Sequence, residues 1–382
     1  MGLYIHIPFC IRKCNYCDFL SFGGVSEEGQ NAYFRSLLHS IKTYHEIYSN
    51  QYYVDSIFIG GGTPSLVEAG LIEELMAEIR SGFTVDQNAE ISIETNPKML
   101  TKKKLNTYLE AGINRLSIGA QSFDDALLRT MGRVHSAEDV LENYMLAREC
   151  GFRNVNIDLM FAIPGQTMSV WMDTLEKAIG LEPEHISFYS LQMEEGTPFF
   201  SMLREGELKE IEDVLDREMY HRAIELFMNS GYQHYEISNA AKEGYPCRHN
   251  LKYWSMEDYL GLGLGAHSFM DGIRFSQMEE LAAYTKGALR KEKGGAFVAW
   301  EHKNTRQDDI SEYIITGMRK LEGINLRDFE TRFEQTIEDV FSANWYRLQK
   351  YIDEEYIVKS AENMHFAIKG IDISNTILTE FV

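Results

Sequence analysis

Over roughly the first 190 residues, short apolar runs alternate six times with helical patterns or turns, and the runs end in polar or glycine-rich segments. Leu3 to Ile7 alternates apolar and polar residues up to Pro8, which cannot donate to a strand ladder. Phe34, Leu37, Leu38, Ile41 and Tyr44 then recur at helical spacing between Glu27 and Tyr48. Val54 to Ile59 runs into Gly60-Gly61-Gly62-Thr63-Pro64-Ser65, and Leu71, Leu75, Met76 and Ile79 mark the next helix. Ala89 to Ile93 leads to Glu94-Thr95-Asn96-Pro97 and a helix over Lys102 to Glu110. Arg115 to Ile118 delivers Gly119-Ala120-Gln121-Ser122-Phe123, and Asn154 to Leu159 carries Asp158 toward Pro164-Gly165-Gln166-Thr167. Between these two, Ser136 with Asp139 three residues on reads as a helix cap, and Gly151 as that helix's end. A helix through Trp171, Leu175 and Ile179 precedes the sixth strand, His185 to Leu191. Such alternation predicts a parallel sheet. Six units fall short of the eight of a closed barrel, so the expected fold is α/β, an open partial (β/α)6 barrel. Every turn motif sits at the C-terminal end of a strand, the face where such sheets carry their chemistry, and the motifs are expected to converge.

The first strand ends in three cysteines, Cys10, Cys14 and Cys17, spaced CxxxCxxC. Disulfide pairing suits neither an odd number nor so tight a loop. Metal binding suits both, and Arg12 and Lys13 within the loop favour the thiolates. A fourth cysteine would complete a structural zinc site or an electron-transfer cluster, and no CxxC or HxxxH pair follows nearby to supply one. Three ligands imply one open coordination position and a reactive site. The chain has five cysteines in all, an odd number that suits a reducing compartment. Cys150 reads as a small apolar side chain at a helix end, and Cys247 as a structural cysteine.

A hydrophobic content of 44% over 382 residues supports a large core. No apolar run approaches the ~20 residues of a membrane span. The N-terminus reads directly as a strand, without the pattern of a cleavable signal, so a cytoplasmic location is expected. The net charge of −21 opposes binding to polyanions, and no nucleic-acid partner is expected. Beyond a helix carrying Met219, Ala223, Leu226 and Phe227, residues 233–238 read as an edge strand. Cys247 to Trp254 and the glycine-punctuated 261–269, with His267, fit neither periodicity, a composition that often carries function. Three segments are expected: a barrel over 1–238, an irregular extension over 239–295 ending in a polar linker from Lys286, and a small, mostly helical, winged-helix-like domain over 296–382. The acidic residues of that last domain, Glu330, Glu334, Glu338 and Asp339 among them, oppose DNA binding.

The CxxxCxxC loop, with an aromatic before its last cysteine, resembles that of the radical SAM superfamily. The resemblance implies a four-iron four-sulfur (4Fe-4S) cluster on Cys10, Cys14 and Cys17, whose fourth iron binds S-adenosylmethionine. YIHIPFC, CNYCDF, GGGTPS, ETNP, SIGAQSF and IDLMFAIPGQT are similar to the oxygen-independent coproporphyrinogen III oxidase family across nearly the whole chain. Carried over by motif, the S-adenosylmethionine contacts implied are Tyr4, Tyr16, Gly61, Gly62, Thr63, Glu94, Gln121, Arg133 and Asp158. The residue types suit such contacts, since glycine admits close backbone approach and arginine can fork onto a carboxylate.

Two departures distinguish this chain from the oxidases of that family. Their pattern continues CxxxCxxCxC, whereas Asp18 and Phe19 follow Cys17 here, and only nine residues precede Cys10. Both features resemble the HemW branch, regarded as heme chaperones, as does His249-Asn250-Leu251-Lys252-Tyr253-Trp254, an HNxxYW motif. The resemblance implies heme contact through His249, Tyr253 and Trp254, because imidazole ligates iron and aromatic rings pack on a macrocycle. The alternative for these three is ordinary packing at a domain interface. The partners implied are heme, an unidentified acceptor protein and a low-potential electron donor, and a homodimer is compatible with the sequence. The competing function is oxidative decarboxylation of coproporphyrinogen III by radical chemistry.

Overall fold

The computed structural model describes residues 1–287 and 297–382. Six parallel strands stand side by side in chain order: β1 (Gly2–Ile7), β2 (Val54–Gly61), β3 (Val85–Thr95), β4 (Arg115–Gln121), β5 (Val155–Phe161) and β6 (His185–Ser190). This is the expected partial barrel, and the sheet does not close. Past β6 come β8 (Asn239–Ala241) and, at the sheet edge, β7 (Gln233–Glu236), both running antiparallel to their neighbours. On the far side β1 pairs in parallel with β9 (Tyr259–Leu262), and β10 (His267–Met270), β11 (Ile273–Gln277) and β12 (Val298–Lys303) follow antiparallel. The sheet has 12 strands among the described residues, and the glycine-punctuated segment supplies two of them.

Strand alternation separates two chemistries. Leu3, Ile5, Ile57, Ile59, Ile91, Ile93, Leu116, Ile118, Ile157, Leu159, Ile186 and Phe188 are buried in the core. The same core takes Phe34, Leu37, Ile41 and Tyr44 from the helix Glu27–Tyr48, which Ser26 caps by accepting from the Gly29 N–H. A capping box of Ser136 and Asp139 opens the helix Ala137–Cys150, and Gly151 closes it in the left-handed conformation at φ 111°. The alternate strand positions form polar rows across the wall, Tyr4–Phe58–Ser92–Arg115 in one and Glu94–Ser117–Asn156–His185 in the next. A closed barrel fills such rows with branched aliphatics; apart from Phe58, this one fills them with groups that hydrogen-bond.

The HNxxYW segment is a helix, Arg248–Trp254, lying against the N-terminal ends of the strands. The Glu90 carboxylate accepts from the backbone N–H groups of Arg248 (3.1 Å) and His249 (3.2 Å) and fixes the start of that helix. Trp254 meets the C-terminal region, with the Arg319 guanidinium 4.5 Å from its ring centroid. That region holds the helices Arg306–Gly317, Leu326–Phe333, Ile337–Val340 and Trp345–Asp353, a three-stranded antiparallel sheet of Ile324–Asn325, Asn363–Phe366 and Ile357–Lys359, and the short helices Ile368–Ile371 and Ser374–Leu378, a winged-helix-like arrangement. Of the linker expected from Lys286, the first two residues end the helix Leu281–Gly287, and residues 288–295 lie outside the described residues.

Candidate functional site

Past Pro8 the chain makes a two-residue parallel ladder, Phe9–Cys10 with Phe22–Gly23, which gathers residues 11–21 into a lobe over the strand ends. Staples hold the lobe in place. Arg12 Nη2 donates to the Gly132 carbonyl (2.7 Å), Asn15 Nδ2 to that of Thr130 (2.8 Å), and the Asn15 N–H to that of Met131 (3.0 Å). His6 Nε2 bonds the Leu20 carbonyl (2.8 Å) on the other side. All three thiols are free and partly accessible. Thr63 Oγ1 lies 3.7 Å from Cys10 Sγ, and Arg133 Nη1 3.6 Å from Cys14 Sγ. Burial pushes the Cys17 thiol up to about 11, outweighing the pull of Lys13 in the opposite direction. Lys13 thus favours the thiolate in the expected direction, and coordination to a metal would supply the rest of the drive to release the Cys17 proton.

Beneath the lobe, the end of β2 is built around glycine. Gly61 has φ 112°, and a Cβ there would stand 2.5 Å from the His6 ring; one on Gly62 would stand 2.7 Å from the Phe9 carbonyl oxygen. This tight packing draws Thr63 up to the cluster loop, its N–H donating to the Phe9 carbonyl (2.7 Å). The Gly61 N–H donates to Glu94 Oε2 (2.9 Å). Burial and the neighbouring Asp158 charge push the Glu94 carboxyl up to about 8. Asp158 is also raised by burial, against donors from Asn156 and Ser117. Gln121, after a bulge in β4, sits in the left-handed region at φ 67°, a strain of about 1 kcal/mol or more held at the rim of the cleft.

These elements enclose one cleft of about 370 Å³, within the range of small-ligand sites. It is lined by Cys10, Cys14, Tyr16, Cys17, Gly61, Gly62, Thr63, Glu94, Gln121, Arg133 and Asp158, so eleven sequence-singled residues share it. Tyr4 lies one layer lower, stacked on Phe58 and bonded through its hydroxyl to His6 Nδ1 (3.0 Å). His249, Tyr253 and Trp254 do not join the cleft. His249 is 1% exposed, and its Nδ1 bonds Ser56 Oγ (2.9 Å) while its Nε2 bonds the Tyr253 hydroxyl (2.8 Å). The axial-ligand expectation for His249 is thus not met in this conformation, because neither ring nitrogen is free for iron. Cys247 is buried on Glu90, its Sγ 3.6 Å from the carboxylate, and His267 is exposed outside the cleft. Sequence reasoning missed Tyr189, Ser190 and Gln192, which line the cleft at the end of β6. The strand-end rule pointed there, but no glycine or cysteine motif marked the place.

The donor set fits the cofactors implied by the sequence. No three His, Cys, Asp or Glu side chains among the described residues converge on a single ion. Arg133 Nη1 bonds Cys14 Sγ (3.6 Å) and Nη2 donates to the Gly119 carbonyl (2.6 Å), while its Nε is buried without a partner, a donor beside the thiols that suits a carboxylate-bearing ligand. A partial barrel with a cysteine triad above its strand ends defines the radical SAM class, and the sequence model of the Radical SAM superfamily matches residues 4–178. The HemN C-terminal domain model matches residues 304–372.

Full-length relatives narrow the class. The heme chaperone HemW of Haemophilus influenzae is 36% identical over 393 positions, covering 100% of this chain and 98% of its own. That of Bacillus subtilis is 34% identical over 384 positions, covering 99% and 98%. The mitochondrial radical S-adenosyl methionine domain-containing protein 1 of Danio rerio is 30% identical over 395 positions, covering 99% and 86%. The chain belongs to the HemW family of radical SAM proteins. The solved structure of the Escherichia coli coproporphyrinogen III oxidase HemN shares the fold, with a TM-score of 0.87 at 23% identity over 100% of this chain and 89% of that one.

Proposed function

We propose that this protein is a heme chaperone that carries a 4Fe-4S cluster on Cys10, Cys14 and Cys17, binds S-adenosylmethionine in the cleft beneath, and passes heme to an acceptor protein. The observation that carries the cofactor reading is the meeting of three free thiols, the unpartnered Arg133 Nε and the Glu94–Asp158 pair in one cleft. When bound, the two groups would supply one-electron chemistry. The chain's own part is to hold them: Gly61, Gly62 and Thr63 shape the wall, and Arg133 can pair with the ligand's carboxylate. Glu94, Gln121 and Asp158 offer acceptors for its amino and hydroxyl groups, Tyr16 packs beside Arg133, and Tyr4 supports the floor.

The heme reading rests on the names of the relatives and on the rim of the cleft. Ile11, Phe19 and Tyr189 line the cleft yet remain 47%, 57% and 40% exposed, beside the cations Arg12 and Lys13. Apolar faces next to cations suit a flat macrocycle bearing two propionates. His249, Tyr253 and Trp254 could touch heme only if the helix Arg248–Trp254 left the barrel. No described helix is long and apolar enough to cross a membrane; the odd number of cysteines suits the reducing, cytoplasmic setting of the proposal, and the proposed cluster's one-electron chemistry calls for a low-potential electron donor.

Coproporphyrinogen III oxidation is the second reading, favoured by the likeness to the HemN fold. One experiment separates the two. Anaerobically reconstituted protein, given reductant, S-adenosylmethionine and coproporphyrinogen III, is expected to form no protoporphyrinogen IX, while the same preparation binds about one heme per chain by Soret titration and yields it to a heme-free b-type hemoprotein. Turnover of the porphyrinogen would contradict the chaperone reading.

A further inference from the structure

Below Asp158 runs a chain of hydrogen bonds whose proton order is set from one end. The Tyr235 hydroxyl accepts from the Cys247 N–H (3.1 Å), which leaves its own proton for His185 Nε2 (2.8 Å). His185 then carries its proton on Nδ1 and donates to Asn156 Oδ1 (2.6 Å), which also accepts from Ser187 Oγ (3.2 Å). With its carbonyl so engaged, the Asn156 amide turns its nitrogen toward Ser117 Oγ (2.7 Å) and Asp158 Oδ1 (2.7 Å). Ser117 Oγ donates in turn to Asp158 Oδ2 (3.1 Å). Each carboxylate oxygen therefore receives one donor from beneath, and its other acceptor sites are left for the cleft. His185 is 0% exposed and Asn156 1%, so water cannot substitute for either. Burial first, then Arg115, holds the His185 imidazole neutral, as this proton order requires.

We infer that Asn156 and His185, with Tyr235 behind them, are positioning residues that fix Asp158 as an oriented, ionised acceptor for the ligand of the cleft. The inference rests on the proposed S-adenosylmethionine site. It also gives the polar barrel interior a function, since the chain starts at the backbone of Cys247, the residue before the helix Arg248–Trp254. Loss of the Tyr235 proton frees His185 to protonate Nε2 instead; Nδ1 would then face Asn156 Oδ1 without a proton, and the amide would flip its oxygen toward Asp158.

The test is the dissociation constant of radiolabelled S-adenosylmethionine for the anaerobically reconstituted full chain, read beside iron content and melting temperature. Tyr235→Phe and His185→Leu are expected to weaken binding roughly tenfold, the size of one hydrogen bond to a charged group, with iron content unchanged. His185→Gln can donate to Asn156 and accept from Tyr235, and is expected to recover most of the loss. Asn156→Asp is expected to make affinity fall as pH rises, because a second carboxylate beside Asp158 must hold a proton. Glu94 on β3, Arg115 on β4 and Tyr189 on β6 also face Asp158 and are common to parent and variant, so the difference between their profiles isolates position 156. Parent-like affinity in both Tyr235→Phe and His185→Leu overturns the inference, as does His185→Gln binding no better than His185→Leu. No binding by the parent overturns the site reading itself. Should His185→Leu fail to fold, Tyr235→Phe, which removes a single oxygen, decides alone.

Discussion

The two ends of the barrel use the same residue types for opposite ends. At the floor, where the helix Arg248–Trp254 meets the strand starts, most polar groups satisfy one another, although Trp254 Nε1 and Asp55 Oδ1 are buried without a hydrogen-bond partner. His249 bonds through both nitrogens, Glu90 takes two backbone N–H groups, and Lys252 Nζ sits between Asp55 (2.8 Å) and Glu257 (2.7 Å). At the top, thiols are free, Arg133 Nε is unpartnered, Glu94 and Asp158 stand close enough that Glu94 holds its proton to about 8, and three apolar side chains face solvent. Aromatic, histidine and carboxylate residues mark a site where their unfinished groups face one shared cleft. Where nearly all of them are bonded to one another, they are a floor.

Titration separates the ends further. Glu94 rises from 4.5 to about 8 on folding, so the folded state binds the extra proton; its contribution to stability is full below 4.5 and is lost as pH climbs through about 8. His249 falls from 6.5 to about 3, chiefly by burial, so its contribution is full above 6.5 and is lost as pH drops toward 3. Alkali strains the top, and acid strains the floor.

The sharpest break is expected at the thiols. The triple variant Cys10→Ala, Cys14→Ala, Cys17→Ala should retain iron and sulfide only at background after reconstitution, whereas Cys150→Ala and Cys247→Ala should keep the parent's content. Loss of iron in Cys247→Ala would join the floor to the cluster site. Next comes Glu90→Ala, which uncaps the helix at the floor and takes one of two neighbouring carboxylates from the buried Arg115, leaving Asp158. Denaturant unfolding should show a loss of about 3 kcal/mol, with S-adenosylmethionine affinity in the surviving fold changed less than by Glu94→Ala. For heme, Phe19→Ala and Tyr189→Ala should each weaken binding by roughly 1 to 2 kcal/mol, while His249→Ala keeps the parent's Soret band. A shifted Soret band in His249→Ala would return the heme to the floor. The smallest effect is Glu94→Gln, expected to raise the melting temperature at pH 8 by on the order of 2–4 °C and to leave it unchanged near pH 4.5.

Much of this was legible in the sequence, for physical reasons that also mark where reading stops. Strands β1 to β6 announce themselves because their outward residues are aliphatic and their ends carry Gly61, Gly62, Glu94 and Gln121, and the strand-end rule places those ends together. The helix Ala137–Cys150 was visible at both termini, since Ser136, Asp139 and Gly151 are local signals. The helix Arg248–Trp254 was not, because its seven residues are too few for periodicity and its cap, Glu90, lies 158 positions from Arg248. Strands β9 and β10 escaped because glycines at 261, 263 and 265 break any alternation. His249 shows a related limit: its type suits iron, but whether its nitrogens are free depends on Ser56 and Tyr253, and nothing in the sequence pairs Ser56 with it. The buried chain through Asn156, His185 and Tyr235 was equally hidden, since its members come from three separate strands.

The measurement that bears most directly on the contrast between the two ends is the electron paramagnetic resonance spectrum of the reduced, reconstituted protein with and without excess S-adenosylmethionine. The expected result is a cluster signal that changes on addition in the parent and in His249→Ala, and changes far less in Glu94→Ala at equal iron content. A parent signal indifferent to S-adenosylmethionine, or one whose response disappears in His249→Ala while persisting in Glu94→Ala, would contradict the account.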